Sequence, residues 1–323
     1  MNVPVKTNDA RFFDFLELAP RSTKPRRQGK TTIGDEGESV EWLRSMLDIW
    51  GAYADSVKFV PALLMMPARV VEERVKLYRD FNLNVGLDDP IFAIAYYQGK
   101  ADELLRKARD MGFTHCQIDT KAVRLDDPAR ERKADEDQVK YTALARELGF
   151  KLWGEVGQKH QEGDRARAGG GLLNVDTIIA DMKELLASGC EQVFLENRVV
   201  REAIGDYGEK ATGDKQLREI VEAVGLENIG IEITNQASFE SRNCHRFWAV
   251  RTFGPEVNFA GGSSLDEIRY VEAIRRGIIF IPGPSKSSSR LWVRSLAKNG
   301  GTAAAEWWKE PYPIDAEVAK TLR

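Results

Sequence analysis

Cysteine is scarce. Three cysteines in 323 residues, Cys116, Cys190 and Cys244, are widely spaced and odd in number. They form neither a disulfide framework nor a metal knuckle, and read as core filling in a reduced, cytoplasmic chain. Long apolar runs are missing too. The longest, Phe59 to Met66, is broken by Pro61 and falls far short of the roughly 20 residues that a bilayer demands. Met1 to Ala10 carries no apolar core, so no secretory leader is expected, and no hydrophobic segment follows Arg26-Arg27. Charge of one sign is also lacking: 47 Lys and Arg face 50 Asp and Glu, a net charge of −3. A chain so balanced has no global positive field with which to bind nucleic acid by counterion release. Neither G-x-G-x-x-G nor G-x-x-x-x-G-K-[ST] occurs, so the common glycine-rich nucleotide cradles are absent. What remains is a chain with 42% hydrophobic and 30% charged residues, the balance of a soluble globular enzyme. Length alone suggests about two domains of roughly 150 residues, although an α/β barrel runs to about 250 as one unit.

The ordering of the residues decides between those options. Eight short β-rich runs recur: Thr31–Asp35, Ser56–Val60, Leu83–Leu87, His115–Asp119, Lys151–Gly157, Gln192–Arg198, Ile229–Asn235 and Val257–Gly262. Helical patterns lie between and after them: Ser39–Tyr53, Pro67–Phe81, Gly99–Met111, Asp127–Leu148, Val175–Ser188, Asp214–Val224, Ser238–Phe253 and Ser263–Arg276. The first of these has Val40, Leu43, Leu47 and Trp50 at three-to-four spacing, one apolar face of a helix. Gly112, Gly149, Gly189, Gly225, Gly254 and Gly277 stand where these patterns end, mostly just ahead of the next run. Eight β-then-α units predict a TIM (β/α)8 barrel over residues 31–277, with an N-terminal arm (1–30) and a C-terminal extension (278–323). A doubly wound open sheet is the alternative. Trp292, Trp307 and Trp308 in the extension suit either core packing or a subunit interface.

Chemistry in such a barrel sits at the C-terminal ends of the strands. Those ends carry Asp35, Lys58, Asp88, Asp89, Asp119, Glu155, Glu196, Glu232 and Asn258. A ring of carboxylates fills a core badly but suits a hard divalent cation such as Mg²⁺, with Glu155, Glu196 and Glu232 as the expected ligands. Each one alone is also compatible with an ordinary ion pair. Lys159, in the loop after the fifth run, reads as a general acid, an anion-holding charge or a solvated surface lysine. Arg21, Lys24, Arg26, Arg27 and Lys30 crowd the arm. They are either solvated or folded over the barrel mouth to hold small anions. Arg165, Arg167 and Gly169 to Gly171 form a second basic stretch, a lid or simply a loop. His115 and His245 fall inside elements and are expected to pack, whereas His160 lies beside Lys159.

The ordered segments Arg21-x-x-Lys24-Pro25-Arg26-x-x-Gly29, Asp35-x-Gly37, Tyr53-x-Asp55-x-Val57-Lys58-Phe59, Glu155-Val156-Gly157-x-Lys159, Glu196-x-Arg198, Ile231-Glu232 and Val257-Asn258 resemble the phosphosulfolactate synthase family over residues 12–277. The resemblance implies a TIM barrel, a homo-oligomer and Mg²⁺-dependent addition of sulfite to C3 of phosphoenolpyruvate. It implies Lys159 as the acid that protonates C2, supported by Glu155 and Arg198. Arg21, Lys24, Arg26, Lys58 and Asn258 would then bind the small anionic substrates. The chain departs from the family's loops. Lys58-Phe59-Val60-Pro61-Ala62-Leu63 replaces K-F-G-W-G-T, Leu87-Asp88-Asp89-Pro90 replaces a G-G-T loop, and Gln117-Ile118-Asp119-Thr120-Lys121 replaces E-I-S-[DN]-G. Arg198-Val199-Val200-Arg201 stands in place of R-E-S-G. Glycine, serine and threonine offer N–H and hydroxyl groups to phosphate, whereas added aspartates repel it. Two other readings follow: a divergent carbon–heteroatom lyase acting on another enolisable carboxylate or with another nucleophile, and a non-catalytic barrel with an interaction role.

Overall fold

The computed structural model describes residues 11, 13–122, 127–157, 167–169, 172–208, 210–233, 237–261, 263–279 and 290–310. Eight parallel strands form one sheet: β1 (Thr32–Asp35), β2 (Ser56–Phe59), β3 (Asn84–Leu87), β4 (His115–Gln117), β5 (Lys151–Val156), β8 (Cys190–Leu195), β9 (Ile229–Glu232) and β10 (Asn258–Ala260). A small antiparallel hairpin, β6 (Arg167–Gly169) with β7 (Leu172–Leu173), interrupts the count. Thr31 bridges to Phe259 in parallel, and the Phe259 N–H donates to the Lys30 carbonyl at 2.9 Å, so the first and last strands meet. Closure of this kind removes the exposed edges of an open sheet. The doubly wound alternative is thereby set aside.

The helices are α1 (Val40–Trp50), α2 (Ala68–Asp80), α3 (Asp89–Tyr97), α4 (Ala101–Asp110), α5 (Pro128–Glu147), α6 (Val175–Ala187), α7 (Asn197–Ile204), α8 (Ala211–Val224), α9 (Phe239–Phe253), α10 (Ile268–Arg275) and α11 (Leu291–Lys298). Local chemistry explains their starts. The Ser39 side chain accepts from the Trp42 N–H, Asp127 from Ala129 and Ser238 from Ser241. Each satisfies an orphan N–H of the first turn. Four elements lie outside the sequence expectation: α3, α7, α11 and the hairpin. The run predicted as Gln192–Arg198 ends as a strand at Leu195. Its last residues instead open α7, so Arg198 lies in a helix's first turn.

The apolar residues divide between two layers. Outside the sheet, Ile33, Val57, Val85 and Leu152 pack against α1, α2 and α4, while Val193, Leu195, Ile229 and Ile231 meet α6, α8 and α9. Inside the barrel, Trp153, Phe194 and Ala260 form a separate buried cluster. Trp153 lies 5.4 Å from Phe194 between ring centroids and stacks on His115 at 4.6 Å. Gly86 makes room for it: a Cβ there would fall 2.2 Å from the Trp153 ring. His115 and His245 are fully buried, as expected of packing residues. Trp292 and Trp307 pack with Ala19 and Leu291, so both are spent within the chain.

The N-terminal segment overturns one expectation. Arg21 pairs with Glu256 and Glu272, and Arg26 donates to Asp55 at 2.9 Å. Asp55 also accepts from the Thr31 N–H at 2.9 Å. The Lys24 ammonium donates to the carbonyls of Gly51 (2.9 Å) and Phe81 (3.3 Å), at the C-terminal ends of α1 and α2. Those orphan carbonyls and the negative ends of the helix dipoles attract a cation. Burial brings the Lys24 pKa down to about 8, against the opposing pull of Asp55. Asp55 and Glu256 precede β2 and β10, so the arm closes the N-terminal end of the barrel rather than its mouth.

Replacing Gly86 with Ala is expected to destabilise the protein by about 1–3 kcal/mol through overpacking against Trp153. Urea unfolding of the pure variant measures it; a loss under about 0.5 kcal/mol would contradict the interior packing.

Candidate active site

Three glutamates converge at the C-terminal end of the barrel. Glu155 is the penultimate residue of β5, Glu196 follows β8, and Glu232 ends β9. One carboxylate oxygen of each lies within 4.8 Å of the others. Two glycines permit this proximity. Gly157 has φ 105°, and a Cβ there would fall 2.5 Å from Val199 and 3.0 Å from the Glu196 Cβ, so β5 and α7 approach without a side chain between them. Gly261, at φ 55°, sits where a Cβ would be 3.0 Å from Glu232 Oε1 and 3.5 Å from Lys58 Cε.

Lys58 enters the cluster from β2. Its ammonium lies 2.9 Å from Asp88 and 3.7 Å from both Glu155 and Glu232. It also lies 5.6 Å from the centre of the Phe194 ring, which forms the floor. Burial works against the charge on Lys58. Asp88, Glu232, Glu155 and Asp89 together outweigh it and hold the pKa well above that of an ordinary lysine. Lys58 therefore keeps its proton and acts as a fixed positive charge.

Two carboxylates about 4.8 Å apart repel by roughly 3 kcal/mol at an effective dielectric of about 20. One ammonium cannot offset three such groups and Asp88 as well. Burial first, then the charges of Glu232 and Glu155, raise the Glu196 pKa far above the usual carboxylate range. Glu196 Oε2 is buried and makes no hydrogen bond. An oxygen-only donor set with surplus negative charge and an unsatisfied buried oxygen fits a hard divalent cation such as magnesium.

Supporting groups complete the geometry. Gln117 on β4 donates to Glu155 Oε2 at 2.9 Å, and the Asn197 amide donates to the Glu232 carbonyl at 3.0 Å. Asp88 caps α3 through the Asp89 N–H at 3.1 Å. On the β9–β10 side, the buried Arg246 donates to Asn243 (2.8 Å) and Ser263 (2.8 Å) and pairs with Glu267, which Arg242 shares. Sequence reading missed Gln117, Asn197, Arg242 and Arg246. The available signal for the first two was a polar residue amid apolar strand ends.

Not every expected site residue joins this group. Glu155, Glu196, Glu232 and Lys58 come together, with Arg198 one residue into α7. Arg21, Lys24 and Arg26 lie at the other end of the barrel. Asn258 opens β10 there too: it accepts from the Lys30 N–H at 3.0 Å and donates to the carbonyls of Leu226 and Ile229. Its roles are backbone ties. Asp35 is engaged by the buried Arg74 and Tyr78, each at 2.9 Å, and so leaves the carboxylate ring. Asp119 turns back to the Lys121 N–H at 2.7 Å. Lys159, His160 and Arg165 lie outside the described residues.

Fold and site together define a class, a (β/α)8 enzyme with a carboxylate cluster at the strand C-termini. Residues 19–280 match the (2R)-phospho-3-sulfolactate synthase (ComA) family, and the chain belongs to that family of carbon–sulfur lyases. Phosphosulfolactate synthase from Methanothermobacter thermautotrophicus is 28% identical over 268 residues, covering 82% of this chain and 95% of the relative. The Methanocaldococcus jannaschii enzyme of the same name is 27% identical over 254 residues, covering 78% and 92%. That of Bacillus subtilis is 23% identical over 264 residues, covering 81% and 95%. No helix among the described residues is long and apolar enough to cross a membrane.

Two variants separate the ends of the barrel. Arg26→Met should cost about 3–5 kcal/mol of stability by stranding Asp55, yet leave KM unchanged; a raised KM in protein shown to be folded would return Arg26 to the site. Glu196 tests the cluster through pH. Its folded pKa exceeds its unfolded value, so its stabilising contribution is complete below about pH 4 and fades as pH rises towards the folded value. Chelator-treated Glu196→Gln should therefore melt at a higher temperature than the native chain at pH 8, the gap closing towards pH 5. An equal or lower melting temperature at pH 8 contradicts the clustering.

Proposed function

We propose that this chain is a magnesium-dependent lyase that adds sulfite to C3 of phosphoenolpyruvate to give phosphosulfolactate. The observation that carries the reading is the meeting of Glu155, Glu196 and Glu232 beside Lys58, within a chain of this family. Magnesium held by the three glutamates supplies positive charge for the substrate carboxylate and for the negative charge that builds on it. Lys58 and Arg198 contribute the fixed cations that let two anionic reactants approach each other. The sulfite sulfur lone pair forms the C3–S bond, and the C2–C3 π pair moves towards the carboxylate. A proton from Lys159 then reaches C2. Lys58 is poorly suited to that transfer, because its carboxylate neighbours hold its proton.

A second reading is favoured by one observation, the Asp88 carboxylate 2.9 Å from Lys58. It keeps the cluster and the addition chemistry but takes another enolisable carboxylate as substrate. We assign the protein to the cytoplasm, as homo-oligomers, on the family's precedent; the half-buried or buried cysteines, with no disulfide, accord with reducing surroundings.

Purified protein with phosphoenolpyruvate, sulfite and magnesium should yield a new sulfonate by mass spectrometry; no product at high enzyme concentration overturns the first reading. Lys159→Ala should abolish turnover with little change in melting temperature, and unaltered activity would remove the acid role.

A further inference from the structure

The family's chemistry demands a mouth that welcomes anions, yet the nearest partner of the mouth lysine is a carboxylate. Asp88 stands 2.9 Å from the Lys58 ammonium, closer than either glutamate at 3.7 Å. It is not a swinging side chain. It is the N-cap of α3, tied to the Asp89 N–H at 3.1 Å, with Pro90 in the first turn and only 7% of its surface exposed. A cap and a buried ion pair together fix its position.

An incoming oxyanion that seeks Lys58 therefore meets a fixed negative charge on the same ammonium. A phosphate dianion suffers that repulsion twice over, in a mouth where charges are poorly screened. A hydroxyl does not: it can donate to Asp88 and gain a charge-assisted hydrogen bond. A divalent cation taken up by Glu155 and Glu232 would draw those two away from Lys58, but Asp88, tied to α3, would stay.

We propose that Asp88 is a specificity-determining residue that shifts the mouth's preference from a phosphorylated carboxylate towards an unphosphorylated, hydroxyl-bearing one. The proposal rests on the second reading above, in which this cluster acts on another enolisable carboxylate. It makes the β2–β3 side of the mouth the place where phosphate is disfavoured.

The matched pair 2-phospholactate and lactate differs only in the phosphate. Calorimetry with magnesium present reads both affinities in the native chain and in Asp88→Asn, where Asn preserves the helix cap while removing the charge. Asp88→Ser, another good cap, provides the same comparison if the first variant melts early. The ratio of 2-phospholactate affinity to lactate affinity should rise about tenfold in the variant, mainly through tighter 2-phospholactate binding. A ratio unchanged or lowered, or binding of neither compound by either protein, overturns the proposal. Turnover with sulfite is read separately. Product missing from both proteins overturns the proposed reaction, while the affinity ratio still decides the role of Asp88.

Discussion

Like charges held together in a poorly screened mouth are the constraint on which the site depends. Glu155, Glu196 and Glu232 approach within 4.8 Å, and Lys58 is a positive charge that β2 places among them. Each carboxylate is delivered by a different strand, so the barrel must hold its strand ends against this repulsion. It does so with supporting side chains. Asn197 ties α7 to β9, Gln117 steadies Glu155, and Trp153 with Phe194 fills the space below. Stability is given up at the mouth and recovered in the packed interior and at the opposite end.

The two ends of the barrel have divided labour by charge. Among the described residues at the mouth, carboxylates outnumber the cations they face. At the base, Arg21, Lys24 and Arg26 of the N-terminal segment each find a carboxylate or a helix-end carbonyl. A balanced total of 47 against 50 hides this separation. It also explains why Arg21 and Arg26, seen in sequence as anion-holding groups, are structural: Glu256 and Glu272 already hold Arg21, and Asp55 holds Arg26.

The barrel was legible because eight apolar runs and the glycines that end helices are local signals, each decided within a few residues. The glutamate trio was legible for a related reason: once strands are placed, the residues at their C-terminal ends follow. What sequence reading missed were properties that depend on distant pairing. Arg26 reads as a mouth cation until Asp55 is found beside it, and Asn258 as a ligand until its amide is seen tied to Leu226 and Ile229. The helix α3 was hidden because Asp88-Asp89-Pro90 looks like a loop, although the same residues make a good helix start. Of α7, only Asn197 and Arg198 fell within the run Gln192–Arg198, and a helix of eight residues that directly follows its strand leaves little periodic pattern of its own.

The placement of the N-terminal segment has a consequence for how the chain is made. Arg21 must reach Glu256, 235 residues later, and Thr31 must meet Phe259. Both contacts wait until the region of the eighth barrel strand has followed. The ring thus closes only after its last strand has been synthesised, and its first strand is locked by its last. The joint between β1 and β10 is then a seam in time as well as in space, and the arm is the clasp drawn across it last.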